Sequence, residues 1–358
     1  MVKYIVKMGI FVLIVSVCLC GVSISFDPAH LFSDALVREM TDELNKGNII
    51  SFGNANIDER VFQEYRISSL NYDADTFIIG SSRVMYLPIT EDNWYNAGVS
   101  AATLNDYYGL IGIMEANDMH IKRLIIGVDP WIFNPNTNGV EYKSIIPYIK
   151  YEKRICDGDE AAKEVLNEWN WQFDYQRLKT AYSPSYFKSA LAASRKDFSV
   201  QVEADSEIGA AAKIMTCGRR IPEETFFHTL EKNESDAAKA IDNGSLYYIN
   251  NFTELDSGLM QDFEILIKHL QKKSVTIEFF LPAWYPMHYE EIKVNPEYRG
   301  VLLSEEYLLD FAKANQITVR GTYDPEVCDL ENTDFMDTLH VKAERLLEEF
   351  LYINSGGR

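Results

Sequence analysis

The chain has 358 residues, of which 47% are hydrophobic and 13% aromatic, and this apolar content excludes a disordered protein. The length allows two average domains or one large α/β domain, and we expect one domain. The 34 Lys and Arg residues against 54 Asp and Glu residues give a formal charge of −20. Because a field of this sign repels phosphates, the charge disfavours nucleic acids as partners.

The N-terminal residues are typical of a membrane segment. Lys3 and Lys7 are the only charged residues up to Phe26, and residues 8–26 form an uncharged run of 19 residues. A helix of that length measures about 28 Å, close to the hydrocarbon thickness of a bilayer of about 30 Å. The lysines predict a single-pass protein of the cell membrane, with a cytoplasmic N-terminus and everything beyond Phe26 outside. A cleaved signal peptide is the alternative, but its apolar core is usually shorter.

The cysteines do not indicate a disulfide framework. Cys18 and Cys20 lie in the membrane segment, which leaves the odd number of three outside it, Cys156, Cys217 and Cys328. The sequence contains no CxxC pair and no Cys/His ligand spacing, and therefore predicts no metal site and no cofactor. Four histidines without ligand spacing to one another are interpreted as ordinary surface or core residues: His30, His120, His228 and His269.

From residue 75 onwards the chain alternates between short apolar runs and helical patterns. Four runs end at turn residues, as strands buried on both faces of a parallel sheet do: residues 76–79, 123–128, 275–281 and 317–319. Helical patterns lie among them at residues 103–117, 253–272, 304–315 and 341–352. This alternation predicts a doubly wound α/β fold, in which ligands bind at the carboxyl ends of the strands.

Two stretches fall outside this alternation. Residues 27–70 are polar and mixed, and we interpret them as a stalk between a membrane anchor at residues 1–26 and a domain at residues 71–358. Residues from about 140 to 250 contain helix-like segments separated by polar turns, and we interpret them as a helical cap inserted into that domain.

A serine in the position of a nucleophile follows the first predicted strand. Residues 80–83 read Gly-Ser-Ser-Arg, where a sharp strand-to-helix turn would bring the Ser82 hydroxyl to the edge of the sheet, although Val84 replaces the second glycine of a Gly-x-Ser-x-Gly elbow. Near the C-terminus, Asp337 and His340 are three residues apart, so on a helical turn the carboxylate holds the imidazole in one tautomer. A base with an orienting carboxylate is what a serine nucleophile requires.

The order of these motifs resembles the SGNH (GDSL-like) hydrolases: Gly-x-Ser, then Asn-x-Gly at residues 96–98, then Gly-x-Asp at residues 127–129, then Asp-x-x-His. The resemblance covers the core of the domain but not the insert. It implies a three-layer sandwich with a parallel sheet. It also implies Ser82 as nucleophile and backbone oxyanion donor, Gly98 as the second oxyanion donor, and Asp337 and His340 as the rest of the triad.

The Gly-x-Asp motif at residues 127–129 departs from the family pattern. Where the family has an Asn that donates a side-chain N–H, this chain has Asp129, which when ionised cannot donate and would repel an oxyanion. Either Asp129 points away from the reacting group, or the chemistry differs from free hydrolysis.

Several short motifs also resemble the membrane-anchored SGNH-like proteins of surface-polymer loci, related to the DltD and AlgJ/AlgX group: Gly-Ser-Ser-Arg, Asp-Pro-Trp, Ser-Pro-Ser-Tyr-Phe, Tyr-Asp-Pro and Phe-x-Asp-x-x-His. This resemblance implies serine-dependent O-acyl transfer or ester hydrolysis outside the membrane. The implied substrate is a cell-envelope polysaccharide or a teichoic-type polymer, and the implied partner is a membrane-bound O-acyltransferase. The alternative is a non-catalytic binding or scaffold protein that keeps the fold, and Asp129 favours it.

Four residues near strand ends are candidates for substrate binding. Arg83 would hold a phosphate or carboxylate of the acceptor, or else be tied to an acidic residue of the protein itself. Trp284 and His288 follow the strand that ends at residue 281 and would contact a sugar ring, or else belong to a rigid aromatic loop packed against the cap. Asp129 is the fourth candidate.

Overall fold

The computed structural model describes residues 2–52, 57–89, 93–137, 139–193 and 199–354. Its helices are α1 (Val2–Phe26), α2 (Ala35–Asn45), α3 (Glu59–Ser68), α4 (Ser82–Met85), α5 (Leu104–Ala116), α6 (Ile146–Cys156), α7 (Trp171–Ala181), α8 (Pro184–Ala193), α9 (Leu230–Asp242), α10 (Ser257–Lys272), α11 (Pro286–Val294), α12 (Arg299–Asn315) and α13 (Ala343–Leu351). Its strands are β1 (Ile49–Ser51), β2 (Thr76–Ile79), β3 (Trp94–Asn96), β4 (Arg123–Gly127), β5 (Gln201–Glu203), β6 (Lys213–Ile214), β7 (Arg220–Ile221), β8 (Thr276–Leu281) and β9 (Thr318–Gly321). Short 3₁₀ helices lie at Pro130–Phe133, Glu141–Ile145, Ala162–Asn167, Glu224–Phe226, Pro296–Tyr298 and Asn332–Asp334.

Five strands form a parallel sheet in the order β3-β2-β4-β8-β9. When these five strands are numbered along the chain, the order is 2-1-3-4-5, which is that of a doubly wound, flavodoxin-like sheet. The prediction of an α/β fold with a parallel sheet is confirmed. The strand β3 was not predicted, because a pattern of three residues is too short to be distinguished from a loop.

Alternate residues along each strand face two different hydrophobic layers. Phe77 and Ile79 of β2 belong to a core that also contains side chains of α5, α10 and α12. Ile78, which lies between them, packs on the opposite face with Leu346 and Phe350 of α13. Because strand side chains alternate in direction, the sheet is covered by helices on both faces.

The position of the site follows from the strand order. From β2 the chain crosses to β3 on one side, whereas from β4 it proceeds to β8 on the other side. A crevice opens at the carboxyl ends of the strands where the winding direction reverses, and this is where ligands bind in open α/β sheets. A functional site is therefore expected at the turns after β2 and β4.

The insert contains strands as well as helices, which differs from the helical cap that we expected. Strand β1, from the N-terminal segment, pairs antiparallel with β5 and with β6, and β7 completes a small sheet of order β5-β1-β6-β7. The strands β5, β6 and β7 are only two or three residues long, so they leave no readable period in the sequence.

The segment for which a stalk is predicted is packed against the domain in the described residues. Arg60 of α3 forms a buried ion pair of 2.9 Å with Asp106 of α5. Gln63 Nε2 donates a hydrogen bond of 3.2 Å to the Gly98 carbonyl oxygen. Residues of α2, β1 and α3 are thus part of the folded body, and the domain boundaries themselves stay a prediction.

The first helix, α1, has 25 residues and is long and apolar enough to cross a membrane. A single-pass anchor is supported to this extent, and its orientation stays a prediction. Helix α8 lies along α1, and Ser23 of α1 is buried.

Candidate active site

Ser82 begins α4, and a turn of two residues separates it from β2. Gly80, between the two, has a φ of +152°, and a Cβ atom there would lie 2.9 Å from the Gly127 carbonyl oxygen, so the turn requires glycine. The Ser81 hydroxyl caps the helix by accepting a hydrogen bond of 3.2 Å from the Arg83 backbone N–H. The Ser82 N–H lies in the first turn, where N–H groups have no partner within the helix.

Hydrogen bonds connect Ser82 to His340 and Asp337. Ser82 Oγ lies 2.8 Å from His340 Nε2, and His340 Nδ1 lies 2.9 Å from Asp337 Oδ2. Because an ionised carboxylate only accepts, Nδ1 carries the ring proton and Nε2 accepts from the Ser82 hydroxyl. The structure therefore brings together the three residues that the sequence proposed as nucleophile, base and orienting acid.

The loop before α13 holds Asp337 and His340 in place. We expected a helical turn, but the structure has an irregular turn that is closed by a bridge between Phe335 and Val341. Asp337 Oδ1 accepts hydrogen bonds from the backbone N–H groups of Leu339, at 2.7 Å, and His340, at 2.8 Å. Burial acts to raise the pKa of Asp337, but hydrogen bonds from His340 and from these N–H groups outweigh it, so the pKa lies below its usual value. The carboxylate is ionised at neutral pH.

Two aromatic rings flank the imidazole. The Tyr86 ring meets the His340 ring edge-on at 5.7 Å between centroids, and the Phe226 ring lies at 5.3 Å. Phe226 belongs to the insert, and Tyr86 is the C-cap residue of α4. Both contacts restrict rotation of the imidazole away from Ser82.

A cavity of about 620 Å³ lies over Ser82. Its lower wall includes Ser82 and His340, and the insert contributes Arg220, Phe226 and Tyr247 to its other walls. This volume is in the range of small-molecule sites. Arg220 was not singled out in the sequence, because nothing in its local pattern distinguishes it from other surface arginines.

The backbone N–H of Gly98 is occupied. It donates a hydrogen bond of 2.9 Å to Asn96 Oδ1, and Asn96 Nδ2 donates one of 2.8 Å to the Val84 carbonyl oxygen. The expected second oxyanion donor is therefore engaged with its own loop in this conformation.

Arg83 and Asp129 form a buried ion pair. Arg83 Nη1 lies 2.9 Å from Asp129 Oδ1, and each side chain is 1% exposed. Arg83 Nη2 also donates to the carbonyl oxygens of Pro282, at 2.5 Å, and Ala283. Neither Arg83 nor Asp129 lines the cavity. The interpretation of Arg83 as tied to an acidic residue matches the structure, whereas direct substrate binding by Arg83 or Asp129 does not, since both are enclosed by protein.

Glu349 is a second buried carboxyl group near Arg83. It accepts a hydrogen bond of 2.5 Å from the Ala283 N–H. Burial raises the pKa of Glu349 to about 8, although Arg83 acts in the opposite direction. Burial also raises the pKa of Asp129, and the direct contact with Arg83 counteracts this. We assign the ionised form to Asp129 and the protonated form to Glu349, which leaves the cluster without net charge.

Trp284 and His288 line the cavity but are 1% and 5% exposed. The Trp284 ring packs edge-on against Trp131, with 6.3 Å between centroids, and lies under the Arg83 guanidinium at 5.1 Å. Burial lowers the pKa of His288 to about 4, so this imidazole is neutral at neutral pH. The geometry agrees with the rigid aromatic loop, because neither ring presents an open face to a sugar.

Comparison with known proteins does not assign the chain to a family. No protein-family model matches it, and no curated protein matches it. The geometry of the site is therefore the basis for an inference of function.

Proposed function

We propose that this protein is an SGNH-type serine esterase or O-acyltransferase that acts on a cell-envelope polysaccharide or a teichoic-type polymer. The observation that carries the proposal is the hydrogen-bonded series from Ser82 through His340 to Asp337, with distances of 2.8 and 2.9 Å, at the carboxyl edge of a parallel sheet. The strand order and the order of the motifs along the chain support an SGNH-like arrangement.

The first half of the proposed reaction forms an acyl-enzyme. His340 Nε2 removes the hydroxyl proton as Ser82 Oγ attacks the acyl carbonyl carbon. The tetrahedral intermediate collapses when its ester C–O bond breaks, and the leaving alcohol takes the proton from Nε2. Asp337 holds the imidazole in the required tautomer throughout, as its 2.9 Å contact with Nδ1 allows.

The second half returns the enzyme to its starting state. A hydroxyl group of the acceptor polymer, or water, attacks the acyl-Ser82 carbonyl and gives its proton to His340 Nε2. The bond to Ser82 Oγ then breaks, and that oxygen recovers the proton from Nε2. Transfer and hydrolysis differ only in which hydroxyl enters the cavity.

The Ser82 N–H is the first hydrogen-bond donor that would stabilise the oxyanion. The Gly98 N–H becomes a second donor only if it leaves Asn96 Oδ1, which it contacts at 2.9 Å. Loss of one such donor costs about 10²–10³ in kcat, so we expect bound substrate to release the Gly98 N–H from Asn96.

Membrane attachment belongs to the proposal. With α1 across the bilayer and its N-terminus in the cytoplasm, the site lies outside, next to the membrane. A membrane-bound O-acyltransferase that delivers the acyl group is the proposed partner, because a transfer enzyme fed from the bilayer must stay near it. The net charge of −20 means that contact with an anionic polymer must be local. Among the described residues, Arg220 lines the cavity, where it lies 3.3 Å from Glu59.

Helix α7 supports this placement by exposing an apolar face beside α1. Trp171, Tyr175, Leu178 and Tyr182 follow one another at helical spacing and are 57%, 63%, 53% and 52% exposed. The Tyr182 hydroxyl lies 3.0 Å from Ser16 Oγ of α1. Ser16 lies about 15 Å before the end of α1, whereas Arg177 of α7 donates a hydrogen bond to the Leu31 carbonyl oxygen beyond that end. We therefore assign this face to the outer half of the bilayer, with Trp171 near the interface and Tyr182 deeper, because aromatic side chains with an apolar body and a polar tip prefer the membrane interface.

Fluorescence quenching tests that assignment. In vesicles reconstituted with the full chain, lipids that carry a quencher near the headgroup should quench the tryptophan emission, and Trp171→Phe should remove much of the quenched part. Trp94, Trp131 and Trp284 are buried and should contribute little to it, and Trp169, which is 76% exposed, is replaced by Phe in both proteins that are compared. Equal quenching of the variant and the wild type would contradict the assignment.

The reaction itself is tested with Ser82→Ala. In cells, this variant should lose all acylation or deacylation of the envelope polymer that depends on the protein, and the purified variant should lose labelling by a fluorophosphonate. Ser100→Ala is the matched control, because Ser100 also lines the cavity but contacts neither His340 nor Asp337. Full polymer modification by Ser82→Ala would refute the triad.

A non-catalytic scaffold protein is the second candidate. It is favoured by the occupied Gly98 N–H and by an acidic residue, Asp129, in place of an amide donor. A wild-type protein that is not labelled by small fluorophosphonates, although Ser82 is accessible from the cavity, would support this candidate. In that case Ser82→Ala would leave polymer modification unchanged.

A further inference from the structure

A second group of ionisable side chains lies near the amino ends of the strands, at the opposite edge of the sheet from Ser82. Glu115 lies near the end of α5, Glu152 and Cys156 lie on α6, and His269 lies near the end of α10. We call these four residues the α5/α6/α10 cluster. The helices α5 and α10 end directly before the strands β4 and β8, which places the cluster at that edge.

Close packing of α5 on α6 brings the two glutamates together. A Cβ atom on Gly112 would lie 2.4 Å from the Tyr148 carbonyl oxygen and 3.3 Å from Glu152 Cβ, so the helices approach as far as they do only because residue 112 is glycine. One turn further along α5, Glu115 faces the same side.

Three residues of the cluster, Glu152, Cys156 and His269, have potential ligand atoms at distances close to those of a coordination shell, and Glu115 is a neighbour of His269 outside that group of three. His269 Nε2 lies 3.5 Å from Glu115 Oε1 and 3.6 Å from Glu152 Oε1, and Cys156 Sγ lies 3.6 Å from Glu152 Oε1. The ligand atoms of Glu152, Cys156 and His269 all lie within 4.8 Å of one another. In a tetrahedral zinc site with bonds of about 2.0–2.3 Å, neighbouring ligand atoms are roughly 3.3–3.8 Å apart.

Hydrogen bonding within the protein does not satisfy this cluster. The Glu152 side chain is 0% exposed, and among the described residues its Oε2 atom has no hydrogen-bond partner. The His269 Nε2 atom also has no hydrogen-bond partner there, although Glu115 and Glu152 lie within ion-pair distance of it, at 3.5 and 3.6 Å. A buried carboxyl oxygen without a partner is costly unless a cation or a proton neutralises it.

We propose that the α5/α6/α10 cluster binds one divalent transition-metal ion, with Zn²⁺ as the ion that fits its ligands. A thiolate, an imidazole and carboxylates are the ligand types of zinc sites, whereas Ca²⁺ and Mg²⁺ require oxygen ligands only. The ion would join α6, the first helix of the insert, to α5 and α10 of the domain. The role is structural and does not depend on the reaction proposed for Ser82.

Charge balance agrees with an ion of charge +2. As ligands or neighbours of a bound ion, the two carboxylates and the thiolate would carry −3, and Lys273, whose Nζ atom contacts Glu115 Oε2, would carry +1. A divalent cation brings the sum to zero, which a buried site requires.

Cobalt substitution tests the proposal directly. The untagged full chain in detergent, treated with a chelator and titrated with Co²⁺, should bind one ion per chain and develop a thiolate-to-cobalt charge-transfer absorption that Zn²⁺ removes. Cys156→Ser should abolish this absorption and lower the affinity at least about tenfold, since even indirect partners of a metal ligand contribute that much. Cys328→Ser is the thiol control, and His120→Gln is the histidine control for His269→Gln.

Thermal unfolding separates a metal site from a network of buried protonated acids. Glu152→Gln keeps the shape of the side chain but cannot ionise, so the chelator-treated variant should fold, and Zn²⁺ should raise the unfolding temperature of the wild type but not of this variant. Ser82→Ala should respond to Zn²⁺ as the wild type does, which distinguishes this proposal from the one for the active site. Absence of the charge-transfer absorption in the wild type, or its persistence in Cys156→Ser, would overturn the proposal.

Discussion

Ser82 and Arg83 are adjacent in the chain but lie in opposite environments. The Ser82 hydroxyl lines the cavity and contacts His340 at 2.8 Å, whereas Arg83 is 2% exposed and pairs with Asp129. Successive residues of a helix differ in direction by about 100°, so the first turn of α4 sends one side chain to the cavity and the next into the protein. One short motif therefore supplies both a reactive group and the ion pair beneath it.

The carboxylates that accompany these two residues differ in the same way. Asp337 lines the cavity, and hydrogen bonds hold its pKa below the usual value. Asp129 is 0% exposed, and burial raises its pKa. The first carboxylate is suited to orient a base, whereas the second holds an arginine. The two residues are of the same type, so their hydrogen-bond partners and their burial are what distinguish them.

The largest effect is expected for Asp337→Asn. An amide can donate to His340 Nδ1 and so hold the imidazole in the wrong tautomer, which in Ser-His-Asp sites lowers kcat by about 10⁴. We expect a loss of this size in the hydrolysis of a small activated ester, with little change in the free energy of unfolding. Asp329→Asn is the control, because Asp329 is exposed and does not line the cavity. Equal losses in both variants would remove the distinction between the two carboxylates.

Arg83→Met should lower the free energy of unfolding. It leaves Asp129 buried without its partner, and breaking a buried ion pair in this way costs about 3–5 kcal/mol in the free energy of unfolding. Urea denaturation measures the loss. Arg345→Met is the control, since Arg345 makes only partly exposed ion pairs, which contribute about 0–1 kcal/mol each. If the two variants lose the same amount, Arg83 does not hold the structure together as we describe.

Glu349→Gln should change the dependence of stability on pH. The pKa of Glu349 is about 8 in the folded protein and has an ordinary value of 4.5, so the folded chain keeps a proton that the unfolded chain loses between these values. The stability from this group is therefore fully present below pH 4.5 and is lost as the pH rises to about 8, at about 1.4 kcal/mol per unit. The glutamine cannot ionise. Between pH 4.5 and about 8, the free energy of unfolding of the variant should therefore rise relative to that of the wild type.

Urea denaturation at several pH values measures this difference. Glu348→Gln, at the exposed neighbouring position, should differ from the wild type by an amount that does not depend on pH. A pH-independent difference for Glu349→Gln as well would show that Glu349 is not the protonated member of the buried cluster.

The smallest effect is expected for Asp129→Asn. Glu349 can release its proton and balance Arg83, so we expect a loss of about 1 kcal/mol, as for one hydrogen bond. The double variant Asp129→Asn/Glu349→Gln should lose more than the sum of the single variants, because no carboxylate then remains for Arg83. A rise in esterase activity of Asp129→Asn would instead place residue 129 beside the oxyanion.

The sequence predicted the group of Ser82, Asp337 and His340 but not the buried surroundings of Arg83. Ser82, Asp337 and His340 are recognisable because each lies in a short motif at a predicted strand or helix end, and the structure brings them within hydrogen-bond distance. The sequence is compatible with two environments for Arg83, because its partner Asp129 lies 46 residues away along the chain. The occupied N–H of Gly98 was missed, because a hydrogen bond between loop atoms leaves no pattern in a sequence.

What the sequence determined by itself is the local order: the apolar N-terminal helix, the alternation of buried strands and helices, and the residues that follow each strand. These depend on periodicity and on turn residues, which act over a few positions. Only the tertiary structure decided the contacts between distant segments, such as the pairing of β1 with β5 and β6 and the meeting of Glu152 and Cys156 with His269. Glu152 and Cys156 are spaced as helix neighbours, but His269, more than a hundred residues away along the chain, is brought to them by helix packing, which no short sequence pattern encodes.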